Sequence, residues 1–348
     1  MKVVALPAFK NFYKNPYNYL LYSPMSEQGV IVEEFSLSKC LRKKYDIFHL
    51  HWPLEQILAA DPSKFIFIIK ATALLILIDW MRFRGTRIVW TIHNFHPHDN
   101  PYPVLSALFL REFLSRLDGY INLSKFGKTA AEKYFPLLRN CSSFIVPHGH
   151  YRTTYPNEIG RNCARLRLGI PEGHRILVFF GRICPYKNVP YLIRVFRELT
   201  DSDLVLIIAG KPDTPATKAE VLDAAGGDSR VKCFFNHVSN EDIQVYLNAA
   251  DLVILPFQEI LNSGSALLAL SYNCPILVPA KGSMSELQAQ IGEAWVRTYS
   301  EELTAEALCE GCSWALFTSR PRCAPLAELN WCQLSQKTLK VYRNICQN

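Results

Sequence analysis

The chain has 348 residues, 49% hydrophobic and 20% charged, with a formal net charge of +7 and a pI near 8.8. This length allows two domains of ordinary size, and the composition is that of a globular protein without low-complexity tracts or short repeats. The basic balance suits anionic partners such as phosphates or an anionic membrane surface, and no nucleic-acid partner is expected.

"MKVVALPAF" reads as a first strand rather than a signal peptide. Further strands are expected near residues 30–36, 46–52, 87–94, 119–124 and 142–148, the first covering 2–9. Helical patterns fall between them, including "PYNYLLYSPMSE", residues 62–84 and "PVLSALFLREFLSRLD". The run from Phe65 to Arg87 is almost long enough to span a bilayer, but Lys70 and Asp79 interrupt it. A buried or half-buried helix between two strands is the plain reading. The alternative is a helix resting on a bilayer, with Lys70, Arg82, Arg84 and Arg87 at the headgroups.

Residues 151–173 are polar and proline-containing and read as a linker. The alternation then restarts at "HRILVFFGRI" and continues through "DLVLIIAGK", "VKCFFNHV", "ADLVILPF" and "CPILVPA". Near-continuous apolar strands separated by helices imply parallel sheets covered on both faces. The expected fold class is α/β, with two doubly wound Rossmann-like domains in tandem and an active site in a cleft facing both sets of strand C-termini. Their bounds are 1–150 and 174–325. A C-terminal helix follows over 326–348, and one option for it is to pack back on the first domain. Eleven scattered cysteines suit free thiols in a reduced cytosol. The lone CxxC of Cys309 and Cys312 reads as a helical accident rather than a metal or redox motif.

Motif residues gather at strand ends of the second domain. Arg182 stands at one strand exit, with Lys187 just before a helix; Gly210 and Lys211 end the next strand. In "LPFQEILNSGSALLALS" a third strand ends and a helix begins at Ser263 or Gly264. A helix N-terminus offers free N–H donors and a positive dipole end, so it can hold a phosphate. Gly264 lets the backbone approach, Asn262, Ser263 and Ser265 add polar groups, and Arg182 and Lys187 neutralise a diphosphate. Those two cations replace a metal, and no DxD-type pair stands at a strand end to hold one. Taken singly, Ser263 reads as an N-cap and Lys187 as a solvated lysine; three converging strand ends favour a phosphate site.

The first domain ends two strands with His49, His51, Trp52, His93, Asn94, His96, His98 and Asp99. His49 and His51 share a strand face, and His49 and His93 suit buried structural roles; zinc is disfavoured because no HExxH-like spacing is present. His51, Trp52, His93 and Asn94 are the acceptor-side candidates. Group transfer to a hydroxyl needs a base, for which Asp99 ranks first, His98 second and Glu55 third. His148 and His150, in "VPHGHYR", are placed to touch the donor.

These blocks, with "NPYNYLLY", "DIFHLHWP" and "GKPDTPATK", resemble GT-B-fold glycosyltransferases, and among them the xanthan-type β-mannosyltransferases that act on glycolipids. The resemblance covers nearly the whole chain. It implies a nucleotide-sugar donor, GDP-mannose, a lipid-linked saccharide acceptor, no metal cofactor, and peripheral work at the cytoplasmic face of the inner membrane. Retaining relatives carry two glutamates flanking seven residues, and here Ile260 and Leu268 take those positions. The resemblance therefore implies inversion at the anomeric carbon. It leaves Glu259 or Glu286 to hold the ribose. The rival readings are a UDP-sugar donor and an inactive glycan-binding or partner subunit. A nicotinamide dehydrogenase is disfavoured because no GxGxxG follows a strand.

Overall fold

Runs of valine, isoleucine and leucine pair as parallel strands in a computed structural model that describes residues 1–59, 63–95 and 100–347. The chain forms two units, Met1–Gly149 with Glu328–Asn348, and His150–Ala327.

The first unit runs β1 (Lys2–Leu6), α1 (Tyr17–Tyr22), β2 (Ile31–Glu34), α2 (Leu37–Arg42), β3 (Ile47–Leu50), α3 (Pro53–Leu58), α4 (Lys64–Phe83) and β4 (Arg87–Ile92). It continues with α5 (Pro103–Leu114), β5 (Gly119–Asn122), α6 (Lys125–Tyr134) and β6 (Ser142–Ile145). Its sheet has the order β2-β1-β3-β4-β5-β6 with parallel pairing, for example His49 beside Val89 and Trp90 beside Tyr120. All four residues of β3 are buried, as a strand covered on both faces requires. The chain direction across the sheet reverses between β1 and β3, the place where such sheets bind ligands.

The second unit begins with α7 (Arg161–Arg167), β7 (Arg175–Phe180), α8 (Val189–Arg197), β8 (Leu204–Ala209), α9 (Pro215–Ala225) and β9 (Val231–Phe234). Then come α10 (Ile243–Ala249), β10 (Leu252–Ile254), α11 (Gly264–Ser271), β11 (Ile276–Pro279), α12 (Met284–Ile291), β12 (Val296–Tyr299) and α13 (Ala305–Phe317). The order β12-β11-β10-β7-β8-β9 puts this reversal between β7 and β10.

Two features depart from expectation. Residues 151–173 are not a free linker. They carry α7 and pack into the second unit, where Arg161 and Arg165 both hold the Asp251 carboxylate and Gln244 accepts from the Glu158 and Ile159 amides. The polar residues that suggest a linker are spent on these internal contacts. Strand β12, "VRTY", has no counterpart among the expected strands. It lies at the sheet edge, and its half-exposed Arg297 and Thr298 break the apolar run that marks its neighbours.

The last helix, α14 (Trp331–Gln347), belongs to the first unit and shares a core with Val3, Ala5, Tyr17 and Leu21. Its Trp331 indole lies so close over Gly149 that an added Cβ would stand 2.3 Å from the ring. All eleven cysteines are free, Cys309 and Cys312 lying within α13. Among the described residues, no helix is long and apolar enough to cross a membrane.

Candidate active site

In the second unit, β7 leaves its sheet at Gly181, whose φ of +124° favours glycine. A single 3₁₀ turn, Pro185–Lys187, follows and ends at Asn188 in the left-handed region. Lys187 thereby turns back over the strand end, between the rings of Phe179 and Phe257, with its Nζ 5.8 and 5.4 Å from their centroids. A Cβ built on Gly181 would stand 3.2 Å from Lys187 Nζ and 3.1 Å from Ser265 Oγ. The ammonium and the hydroxyl therefore converge over this glycine, at the reversal between β7 and β10.

Burial pushes the Lys187 pKa down to about 8; Cys184 offsets part of that shift and nearby Arg182 adds to it. No carboxylate acts on this ammonium, and it forms no ion pair or hydrogen bond among the described residues. A buried cation without a counter-charge is costly unless an anion arrives.

The three strand exits are knitted by backbone hydrogen bonds. Ile183 N–H donates to the Lys211 carbonyl at 3.0 Å, Asp213 N–H to the Ile183 carbonyl at 2.9 Å, and Gln258 N–H to the Tyr186 carbonyl at 2.8 Å. Gly210 is required by this crossing rather than by a ligand, since a Cβ there would stand 1.9 Å from the Gly181 carbonyl oxygen. Ser263 caps α11 by accepting from Ala266 N–H at 3.1 Å. The N–H groups of Gly264 and Ser265, in the first turn, have no partner within the helix. Asn262 is half-buried in the preceding turn, while Arg182 and Glu259 are exposed. Ile260 is buried and Leu268 half-buried, so no acid stands at either position; Glu286 is half-buried on α12.

The carboxyl edge of the first sheet is a hydrogen-bonded aromatic cluster. His49 Nδ1 meets the Tyr342 hydroxyl at 2.6 Å and the Tyr22 hydroxyl at 2.8 Å, and His49 Nε2 meets Thr91 Oγ1 at 2.7 Å. The Tyr22 hydroxyl also reaches His51 Nε2 at 2.6 Å, and His51 Nδ1 reaches His93 Nε2 at 3.0 Å. Trp52 stacks on His93, with ring centroids 4.2 Å apart. Burial pushes the His49 pKa down to about 3 and holds His51 and His93 well below the usual histidine range, so all three are neutral.

His51, Trp52, Glu55 and Asn94 line a small cavity at this edge. There Asn94 Nδ2 donates to Glu55 Oε1 at 2.7 Å. Burial raises the Glu55 pKa, against the opposing pull of that bond. A cavity of about 600 Å³ beside β12 and α13 contains none of the candidate residues.

His148 and His150 fall in different units. His148 belongs to the first unit, edge-on to Tyr17 and Trp331 with centroids 5.0 and 5.7 Å away. His150 is buried in the second unit, where its Nδ1 accepts from Arg152 N–H at 3.3 Å. His98 and Asp99 lie outside the described residues.

Tyr22, Tyr342 and Asn122 went unnoticed in the sequence. The two tyrosines sit in ordinary helical patterns. Asn122, at the end of β5, is fully buried with neither side-chain amide atom hydrogen-bonded among the described residues, and "GYINLS" carries no signal of that.

Residues 162–309 match the family of Glycosyl transferases group 1. Over 329 residues, 94% of this chain and 88% of the relative, the sequence is 30% identical to the GDP-mannose:glycolipid 4-beta-D-mannosyltransferase of Xanthomonas campestris pv. campestris. The chain belongs to the group 1 glycosyltransferases.

This glycosyltransferase has the GT-B fold. It resembles WaaG, a glycosyltransferase of lipopolysaccharide biosynthesis, with a TM-score of 0.60 and 16% identity over 100% of this chain and 98% of that one. It also resembles a glycosyltransferase from Rickettsia africae ESF-5, with a TM-score of 0.64 and 13% identity over 100% and 98%. At such identities the likeness carries the fold alone.

Proposed function

We propose that this glycosyltransferase moves mannose from GDP-mannose to a lipid-linked oligosaccharide, inverting the anomeric carbon without a metal. Its setting is bacterial exopolysaccharide or cell-surface glycan synthesis, at the cytoplasmic face of the inner membrane. The observation that carries this reading is the meeting of Lys187 and Ser265 over Gly181, beside the first turn of α11, whose amides have no partner within the helix. That cradle suits a diphosphate, and Arg182 adds a second cation. The mannose and the glycolipid acceptor rest on the likeness to the Xanthomonas enzyme, which spans nearly both chains.

The reaction is a single displacement. A base takes the proton of the acceptor hydroxyl, whose oxygen bonds to C1 of the sugar. The bond from C1 to the diphosphate breaks on the opposite face, and its electrons leave with GDP. Lys187, Arg182 and the Gly264–Ser265 amides stabilise the charge gathering on that leaving group. Leu268 supports inversion, because no carboxylate stands at its position in α11. Asp99 is the proposed base. Glu55 is a second reading, favoured by its half-buried carboxyl, its raised pKa and the Asn94 hydrogen bond that orients it.

Thermal-shift titration with GDP and UDP tests the donor, and NMR of the product made from GDP-mannose tests the anomeric outcome. Stabilisation by UDP alone, or an α-linked product, overturns this reading. For the base, Asp99→Asn is expected to lower kcat by about 10²–10⁴-fold, the usual worth of a general base. Loss in Glu55→Gln with Asp99→Asn unaffected transfers the role to Glu55.

A further inference from the structure

Helix α4 is apolar on two opposite sides, and the protein covers only one of them. Its inner stripe, Phe67, Ala71, Leu74, Leu77, Ile78 and Met81, is buried. At 100° per residue the outer residues Phe65, Ile69, Ile76, Trp80 and Phe83 form a second stripe, roughly opposite the first. These stand in the open, Phe65 at 71%, Ile76 at 63% and Phe83 at 85% exposure. A helix that is apolar all round normally lies in a core or in lipid. Helices packed against α4 extend the bare surface: α2 exposes Leu37 and Leu41, and α5 exposes Val104 and Leu108.

Charge identifies what covers this surface. The segment Leu37–Lys44 holds four basic residues and no acid, and Arg82–Arg87 holds three basic residues and no acid. Arg84 ties the two together by donating to the carbonyls of Leu41, Arg42 and Lys43. Lys39 and Lys43 are partly neutralised by Glu33, and Arg82 and Arg87 by Asp118, whereas Arg42 and Lys44 stand exposed without an ion pair among the described residues. An uncovered aromatic and isoleucine stripe with a basic end is the pattern of a helix lying flat in a lipid interface. Pairing with a second copy through the same face would set two net-basic surfaces against each other.

We infer that the outer face of α4, with the flanks of α2 and α5, is a docking surface for an anionic bilayer, inserting the Phe65–Phe83 stripe among the acyl chains. The helix is about 30 Å long and lies along the membrane rather than across it. Its first turns adjoin α3, where Lys70 Nζ donates to the Ile57 and Ala59 carbonyls. Because α3 carries Glu55, the docked face would bring a lipid-held acceptor to the rim of the His51–Asn94 cavity. The inference extends the glycolipid reading, yet the docking itself depends on no donor or acceptor.

Co-sedimentation with vesicles tests it without any nucleotide sugar. The full chain is mixed with phosphatidylcholine vesicles and with vesicles that also contain phosphatidylglycerol, at low and high salt. Wild type is expected to bind the anionic vesicles. The double substitution Ile69→Glu with Ile76→Glu should cut that binding at least about tenfold while leaving Tm and far-UV circular dichroism unchanged, since both side chains are exposed. Arg42→Glu with Lys44→Glu should weaken low-salt binding and flatten its salt dependence. Wild type that ignores anionic vesicles overturns the inference, and so does equal binding by the isoleucine variant. A lipid-free dimer that the isoleucine substitutions dissociate would assign the face to a second copy and overturn it too. Failure of the donor assays, with vesicle binding intact, would strike only the proposed reaction.

Discussion

Lys187 and His49 are both buried ionisable groups at the carboxyl edge of a parallel sheet, and their surroundings differ in kind. His49 has hydroxyl partners on both ring nitrogens, from Tyr22, Tyr342 and Thr91, and is held neutral. Lys187 has two aromatic faces and no hydrogen-bond acceptor among the described residues, and with a pKa of about 8 it stays mostly charged at pH 7. A satisfied buried group is complete within the fold and serves stability. A buried charge left unsatisfied is incomplete until something binds. The contrast divides the histidine-rich edge, whose inner members are satisfied within the fold, from the cationic edge, where a buried charge stands without a counter-charge among the described residues.

Removing the incomplete group should therefore hurt catalysis and spare the fold. Lys187→Ala is expected to lower kcat/KM by about 10²–10³-fold, the usual effect of losing one charge-stabilising donor. Its Tm should hold or rise, because a buried cation without a partner has been deleted. Arg182→Ala should also remove most transfer, by a smaller factor, since Arg182 is exposed. Steady-state kinetics and calorimetry on the same preparations check both. Near-normal turnover in Lys187→Ala would break the comparison outright.

The complete group predicts the converse. Tyr22→Phe strips a hydroxyl from between two buried imidazoles and is expected to destabilise the first unit by about 2–3 kcal/mol. GDP affinity should be unchanged. The same cluster sets a pH window. The folded pKa of His49, about 3, lies below the usual 6.5, so its contribution is fully present above pH 6.5 and is lost as pH falls toward 3. Each such histidine steepens that loss by about 1.4 kcal/mol per pH unit. Urea melts between pH 7 and 4.5 measure it, and a flat profile would return the cluster to solvent.

On the alkaline side the lysine gives a gentler signal. Its folded pKa lies below the free value of 10.5, so below pH 8 its desolvation opposes folding, and that opposition fades between 8 and 10.5. Donor binding should move the other way, weakening up to about tenfold per pH unit above 8 as the ammonium loses its proton. Nucleotide titrations at pH 7.5 to 9.5 on wild type and Lys187→Met test this; an equal slope in both would show that another group titrates.

The sequence displayed one of these edges more plainly than the other. The parallel strands were readable because apolar runs such as "LVLIIA" belong to strands buried on both faces. The meeting of Lys187 and Ser265 near Gly181 was readable because glycines, cations and a serine cap cluster within a few residues of strand ends. Strand β12 was hidden by its half-exposed edge position, and α7 by polar residues that bond inward. The His49 cluster was hidden by distance along the chain, since Tyr22 and Tyr342 come from positions 27 and 293 residues away. No local pattern reports a partner so remote. The proposed base is beyond this comparison, because Asp99 lies outside the described residues.

The smallest expected effect lies inside the cationic edge and separates two serines that the sequence treats alike. Ser263 spends its hydroxyl on the Ala266 amide, as an N-cap does, whereas the Ser265 hydroxyl faces the same space as Lys187 Nζ above Gly181. Ser263→Ala should therefore lower stability by about 1 kcal/mol and change KM for the donor little. Ser265→Ala should leave Tm in place and weaken transfer several-fold, the worth of one neutral hydrogen bond at a charged leaving group. The two substitutions delete the same atom from neighbouring positions in one turn, so helix propensity and surface polarity largely cancel between them. If both variants lose stability and neither loses turnover, the Ser265 hydroxyl serves the helix and the diphosphate is held by Lys187 and the backbone amides alone.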